Sequence, residues 1–284
     1  MSKVTMTGVE RWSIWGLIGF TAVAVLGYGI FALHPERIPT DDFSLAFFTH
    51  SFAWFARLHI LLSAVVLAIA FFGRSGTRWL IAFGAVFGLS FMAEHIGTGT
   101  GFPFSGYSYT ALLGPRIGGR VPWVIPISWF LMSAVAWILA RRSFPDRTAG
   151  RLLFATWLLV LWDLALDPAM SFLTPYWLWE VEGPYYGMPL VNLVGWFGTG
   201  LVLMVALDWL DRRINWAGEV TVDWALWYYL AVLAMPLGML IAYGAWLAVL
   251  VTAGALAVSW GIHLWVTAPT GTPLASEAEA GGCV

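Results

Sequence analysis

From Trp224 to Ile262 the sequence has no Asp, Glu, Lys or Arg. A water-facing surface cannot be built over such a length without charge, and at 1.5 Å per residue the segment is long enough to cross roughly 30 Å of hydrocarbon more than once. Apolar runs of the same kind recur along the chain. Bounded by charge or Gly/Pro, they predict membrane spans near 12–33, 53–73, 79–96, 122–140, 152–173, 189–210, 222–241 and 245–266. The third is marginal in length. The last two are divided by a turn near Tyr243-Gly244, with Pro236 as the alternative position. The expected fold class is all-α, a polytopic membrane helix bundle of about eight transmembrane helices. With only 11% charged residues against the roughly 25% of an ordinary soluble domain, lipid is the natural solvent for it. The 19 Trp fit membrane interfaces and pockets for flat apolar ligands.

Lys and Arg set an expected orientation. Lys3, Arg11, Arg74, Arg78, Arg141, Arg142, Arg147, Arg151, Arg212 and Arg213 fall at one side, and only Arg37, Arg57, Arg116 and Arg120 at the other. The richer side is read as the cytoplasm, which places both termini there and agrees with an even number of spans. The first span is too long for a signal-peptide core, and Leu33-His34-Pro35 is no small-residue cleavage site, so it reads as a permanent helix. Residues 1–267 form one integral-membrane domain in this reading, and 268–284 a disordered tail. Cys283, the sole cysteine, excludes an intrachain disulfide and a thiolate metal site, and stands at the wrong place for prenylation. No basic run suggests nucleic acid.

Two segments resemble copies of each other. Pro122 to Trp129 and Pro189 to Trp196 each place Trp seven residues after Pro, 67 positions apart, and Gly114-Pro115 and Gly183-Pro184 precede them. Glu94 and Asp163 lie before these, each inside an apolar helix. The pattern suggests two helix–loop–helix units in the same orientation, with a site where the copies meet.

An ionisable side chain at membrane depth costs several kcal/mol unless it is paired or wetted, so it is a functional candidate by default. Five qualify: His59, Glu94, His95, Asp163 and Asp167. Asp163 and Asp167 project from one helix face about 6 Å apart along the axis. Two carboxylates that close in a dry pocket do not both ionise easily, so one can keep a proton to donate while the other acts as base. Pro168 then frees backbone carbonyls. The bland alternative is a structural pair bonded to neighbouring helices. Glu94 and His95 point about 100° apart on their helix, so one of them can be a mere anchor. His59 reads either as functional or as a buried histidine bonded to a carboxylate. The glycines from Gly97 to Gly101 follow a membrane helix and not a strand, so they make a tight fold-back and no dinucleotide site. Neither an HxxxH nor an ExxH pair supports a metal. Glu180 and Glu182 read as solvated loop residues, though Trp177-Leu178-Trp179-Glu180 could lid the site. Asn192, Tyr107 and Tyr109 could complete its polar rim. His263 and Asp223 read as interfacial.

Glu94-His-Ile-Gly97, then Gly101-Phe-Pro-Phe-Ser-Gly-Tyr107-Ser-Tyr109, Gly114-Pro115, Pro122, Pro126 and Trp129, resembles the integral-membrane carotenoid biosynthesis family whose characterised members are carotenoid 1,2-hydratases. Asp163-Leu-Ala-Leu-Asp167-Pro168, Trp179-Glu180, Gly183, Tyr186-Gly-Met-Pro189, Asn192 and Gly195-Trp196 resembles its second block. The resemblance covers about 94–200. It departs at Ser105, where the family pattern often has Gly, which bears on local loop geometry alone. The resemblance implies addition of water across the terminal C1–C2 double bond of an acyclic carotenoid end, on lycopene-like, monocyclic or C50 substrates in the cell membrane. That chemistry needs a proton donor, a stabilised tertiary cation and a base for water, with no cofactor or metal. Asp163 or Glu94 is the expected donor, and Asp167 the base or cation stabiliser. A membrane carotenoid cyclase would use the same protonation without water. A proton-coupled transporter is the rival outside enzymology, and a prenyltransferase is disfavoured because a second Asp-rich motif is missing.

Overall fold

The computed structural model describes residues 5–268. Residues 269–284 of the expected tail, Cys283 among them, and Lys3 lie outside the described residues. Among the described residues eight helices are long and apolar enough to cross a membrane, and the protein is a multi-pass membrane protein. They are α1 (Gly8–Gly27), α2 (Asp42–Ser75), α3 (Trp79–Thr100), α4 (Val124–Ser143), α5 (Thr148–Asp167), α6 (Val191–Ile214), α7 (Val222–Tyr243) and α8 (Trp246–Thr267). Local signals fix their ends. Thr7 and Glu10 form a reciprocal capping box at the start of α1, and Thr221 caps α7 through the Trp224 amide. The turn between α7 and α8 falls at Gly244, whose φ of 87° belongs to a left-handed C-cap that favours glycine, and Pro236 lies inside α7.

Two elements run longer than the hydropathy pattern predicts. The third helix reaches Thr100, so it is not marginal. The second begins at Asp42, because the Asp41 side chain accepts the Ser44 amide and nucleates a turn that polar residues such as Thr49, His50 and Ser51 hide from a hydropathy reading. His59 therefore lies in the middle of α2 and not near its start.

The bundle has a buried centre and an outer ring. Along α4 nearly every residue from Phe130 to Ile138 is buried, and α5 is enclosed in the same way, whereas α1, α3 and α8 expose apolar side chains such as Trp12, Met92 and Leu250. Ion pairs gather at one end. Arg74 joins Glu10 at 2.7 Å, Arg151 meets Asp208 at 2.8 Å, and Arg141 faces Asp211 at 3.4 Å. At the other end two short ladders cross the bundle: β1 (Tyr107–Tyr109) pairs with β4 (Trp177–Trp179), and β2 (Arg116–Ile117) with β3 (Val121–Pro122).

α3 packs on α6 as α5 packs on α4. β1 and β4 occupy equivalent places in the two units and pair antiparallel, Tyr107 with Trp179 and Tyr109 with Trp177, so a local two-fold axis passes between Ser108 and Leu178. Trp129 and Trp196, matched in the sequence pattern, stack with centroids 4.0 Å apart and planes at 20°.

Candidate active site

The β1–β4 ladder roofs a small cavity of about 40 Å³ between the two units. Its walls carry Glu94 from α3, Trp129 from α4, Asp167 from the end of α5, and Asn192 and Trp196 from α6, with Tyr107, Tyr109, Trp177 and Trp179 above. Glu94 is buried and accepts three hydrogen bonds. The hydroxyls of Tyr107 and Tyr109 (the latter at 2.7 Å) donate to Oε2, and Trp129 Nε1 donates to Oε1 at 2.8 Å. A carboxylate only accepts, so this set of donors matches its needs. Burial, and next the negative charge of Glu94, push both phenols well above the ordinary tyrosine value. They stay neutral and keep donating.

The second acidic station is built on the far wall. Asp167 Oδ1 accepts Trp177 Nε1 at 2.9 Å, and Oδ2 accepts Asn192 Nδ2 at 2.6 Å. The same Asn192 nitrogen lies 3.4 Å from Asp163 Oδ2. Both carboxylates thus share a face of α5, as their spacing of four requires. Asp163 lies off the cavity wall, and its Oδ1 is buried without a hydrogen-bond partner among the described residues. Pro168 has no N–H, so the helix continues as a π-helical segment over Pro168–Leu173. The Leu164 carbonyl thereby released accepts the Tyr185 hydroxyl at 2.8 Å.

Glycines let the loop come this close. A Cβ on Gly97 would lie 2.7 Å from the Phe104 ring, and one on Gly195 would lie 2.6 Å from the Pro103 carbonyl oxygen. The fold-back read from the glycine run is therefore a close packing of the α3–α4 loop between α3 and α6.

Three of the sequence candidates stand elsewhere. His59 lines a small neighbouring apolar chamber of about 50 Å³ with Ser63, Trp162, Met170 and Met235, and its Nε2 is 3.0 Å from the Thr21 hydroxyl instead of a carboxylate. The chamber shares Ile125, Ser128 and Leu166 with the acidic cavity. His95 turns away from Glu94, as their angular separation demands. It packs on Phe91 and against Gly118 of the β2–β3 turn. Glu180 is exposed; its amide donates to the Gly106 carbonyl at 2.9 Å and its carboxyl lies over Gly106, outside the cavity. His263 accepts or donates to Ser143 at 2.8 Å at the opposite end of the bundle. Sequence reasoning missed Trp129 and Trp177 as partners of the acids. The repeated Pro-to-Trp spacing marked Trp129 but could not reveal what its indole donates to.

The pattern described as "Carotenoid biosynthesis protein" matches residues 55–259, from the middle of α2 to α8, and so includes every wall of this cavity. The chain belongs to the carotenoid biosynthesis protein family. Within curated proteins it is 32% identical over 127 residues to bisanhydrobacterioruberin hydratase of Haloarcula japonica, a stretch that spans 43% of this chain and 43% of that relative. No solved structure matches the chain. For a member of the carotenoid biosynthesis family the cavity has a fitting character: a few acids and amides set among indole and phenol rings, beside an apolar chamber. Among the described residues no three His, Cys, Asp or Glu side chains are grouped to hold a metal.

Proposed function

We propose that the protein is a carotenoid 1,2-hydratase, which adds water to the terminal C1–C2 double bond of an acyclic carotenoid end, in the cell membrane with both termini cytoplasmic. The observation that carries this reading is the meeting of Glu94 with the Asp167–Asn192 pair across one aromatic cavity. The Asp163–Asp167 pair holds a proton, since an ionised Asp163 would leave a bare charge on its unpartnered Oδ1. Asp163 keeps its proton throughout, and Asp167, the member on the wall, carries a proton of its own and delivers it to C2. The alkene's π electrons form the new C–H bond, and a tertiary cation develops at C1. Indole and phenol faces stabilise it by about 0.5–2 kcal/mol each. Glu94, held by three donors, orients a water; the water's oxygen bonds to C1 and its proton passes to the carboxylate. The sum is alkene plus water giving a tertiary alcohol, with a proton returned to the aspartate pair through solvent. The hydratase relative in Haloarcula japonica supports this class of reaction.

Expression in a lycopene-making bacterium, followed by mass analysis of the pigments, tests the proposal. A gain of one water per reacted end is expected. Pigment of unchanged mass but altered chromophore would replace hydration by cyclisation, and unaltered pigment beside well-folded protein would remove the reading.

A further inference from the structure

A rigid polyene whose tip occupies the acidic cavity cannot fit within it, and its remaining length needs a route to the bilayer. The shared residues Ile125, Ser128 and Leu166 lead from the cavity into the apolar chamber. The chamber's outer wall is α2, where Ala56, His59 and Ile60 line it. On the other side of that wall, between α1 and α2, lies a groove of about 380 Å³. One face of α1 (Phe20, Ala24, Gly27), continued by Phe31 of the π-helical turn Tyr28–Ala32, and one of α2 (Phe48, Phe52, among others) line it, each at helical spacing of three or four. Phe20 of the groove lies 6.2 Å from the His59 ring of the chamber, and the Thr21 hydroxyl next to it is bonded to His59. Phe55, also in the groove, packs on Tyr176, which leads into β4 above the acids.

We infer that the α1–α2 groove is the lateral binding site for the carotenoid's polyene, through which the chain passes from the bilayer past the Thr21–His59 contact into the chamber. The inference rests on the carotenoid reading above. A conjugated chain is flat and apolar, and Phe faces offer it the stacking surface that a flexible acyl chain uses less well. Gly27 keeps the groove open. Its backbone is helical, and a Cβ built there meets nothing within 4 Å, so a large side chain can be accommodated by the fold while filling the groove. Gly16 and Gly19, on the same helix but outside the groove, are equally unobstructed.

The test uses the full chain in lipid nanodiscs with Gly27→Trp, Gly16→Trp and Gly19→Trp. Binding of an acyclic carotenoid is read by quenching of tryptophan fluorescence, and hydration is read on that carotenoid and on a short acyclic terpene with the same end group. We expect Gly27→Trp to weaken carotenoid binding and turnover by about tenfold, the scale of overpacking a filled space, with the short terpene little affected and both control variants near wild type. Binding lost in Gly27→Trp without any wild-type hydration supports the groove and removes the hydratase reading. Carotenoid binding and turnover unchanged in Gly27→Trp, or equal losses on the short terpene, overturn the groove and leave it to bulk lipid. A wild-type chain that binds no carotenoid overturns both.

Discussion

At the scale of single residues, the hydrogen bonds assign different duties to the three acids. Glu94 receives donors at both oxygens from two phenols and an indole. Replacing it with Gln puts an NH₂ group against donors that need an acceptor, and a buried mismatch of this kind costs about 1–3 kcal/mol. We expect Glu94→Gln to abolish hydrated pigment while the protein still accumulates in membranes; full activity would exclude Glu94 from the chemistry. Tyr109→Phe deletes one donor and leaves Tyr107 and Trp129, so turnover should fall about tenfold, a loss near the worth of one hydrogen bond to a charged group. The pH profile offers a separate check. Both phenols are held above their ordinary value, so their neutral, donating form persists as pH rises, and no loss of rate from phenol ionisation should be seen up to about pH 10. A falling limb near pH 9 that vanishes in Tyr109→Phe would contradict this assignment. Asp163 and Asp167 differ by position more than by type, because only Asp167 reaches the cavity wall.

At the scale of elements, the site depends on how closely the α3–α4 loop approaches α6. Gly195 lies under Pro103 and Phe104, whereas Gly198, one turn on, has open space around a Cβ. Gly195→Ala must lift the loop and with it Tyr107, Tyr109 and the β1–β4 roof. We expect a lowered melting temperature in detergent and a severe loss of turnover for Gly195→Ala, with Gly198→Ala close to wild type. Similar melting curves for the two would mean that the loop can yield without consequence. The roof itself was hidden from a reading of periodicity. Tyr107–Tyr109 and Trp177–Trp179 are three residues each, too short for alternation to be recognised. Their pairing comes from two distant loops that only the helix arrangement brings together. The start of α2 was missed for the opposite reason: a capping side chain prevailed over a polar local composition.

At the scale of the whole molecule, ion pairs occupy one end of the bundle and the acidic cavity the other. Asp208 is the hub of the first group, bonded to Arg151 at 2.8 Å and to Arg212 at 2.8 Å. Asp208→Asn leaves Arg151 buried without its anion, a loss of about 3 kcal/mol. Because this hub ties α5 to α6 far from the acids, the variant should melt earlier yet keep the specific activity of its folded fraction. A large drop in that specific activity would indicate that the two ends are linked through α5 or α6.

The sequence by itself determined the solvent, the number of crossing helices and which acids fall within them, because burying charge in hydrocarbon is so costly that composition alone records where the membrane lies. It also marked the two matched units through Trp129 and Trp196. Only the tertiary structure decided that these indoles stack, that Glu94 and Asp167 face one cavity while Asp163, His95 and Glu180 do not line it, and that His59 lines a neighbouring chamber. Helical spacing fixes an angle around one axis. Which neighbour fills that angle depends on the packing of several helices and on loops whose closeness is set by glycines far apart in the chain.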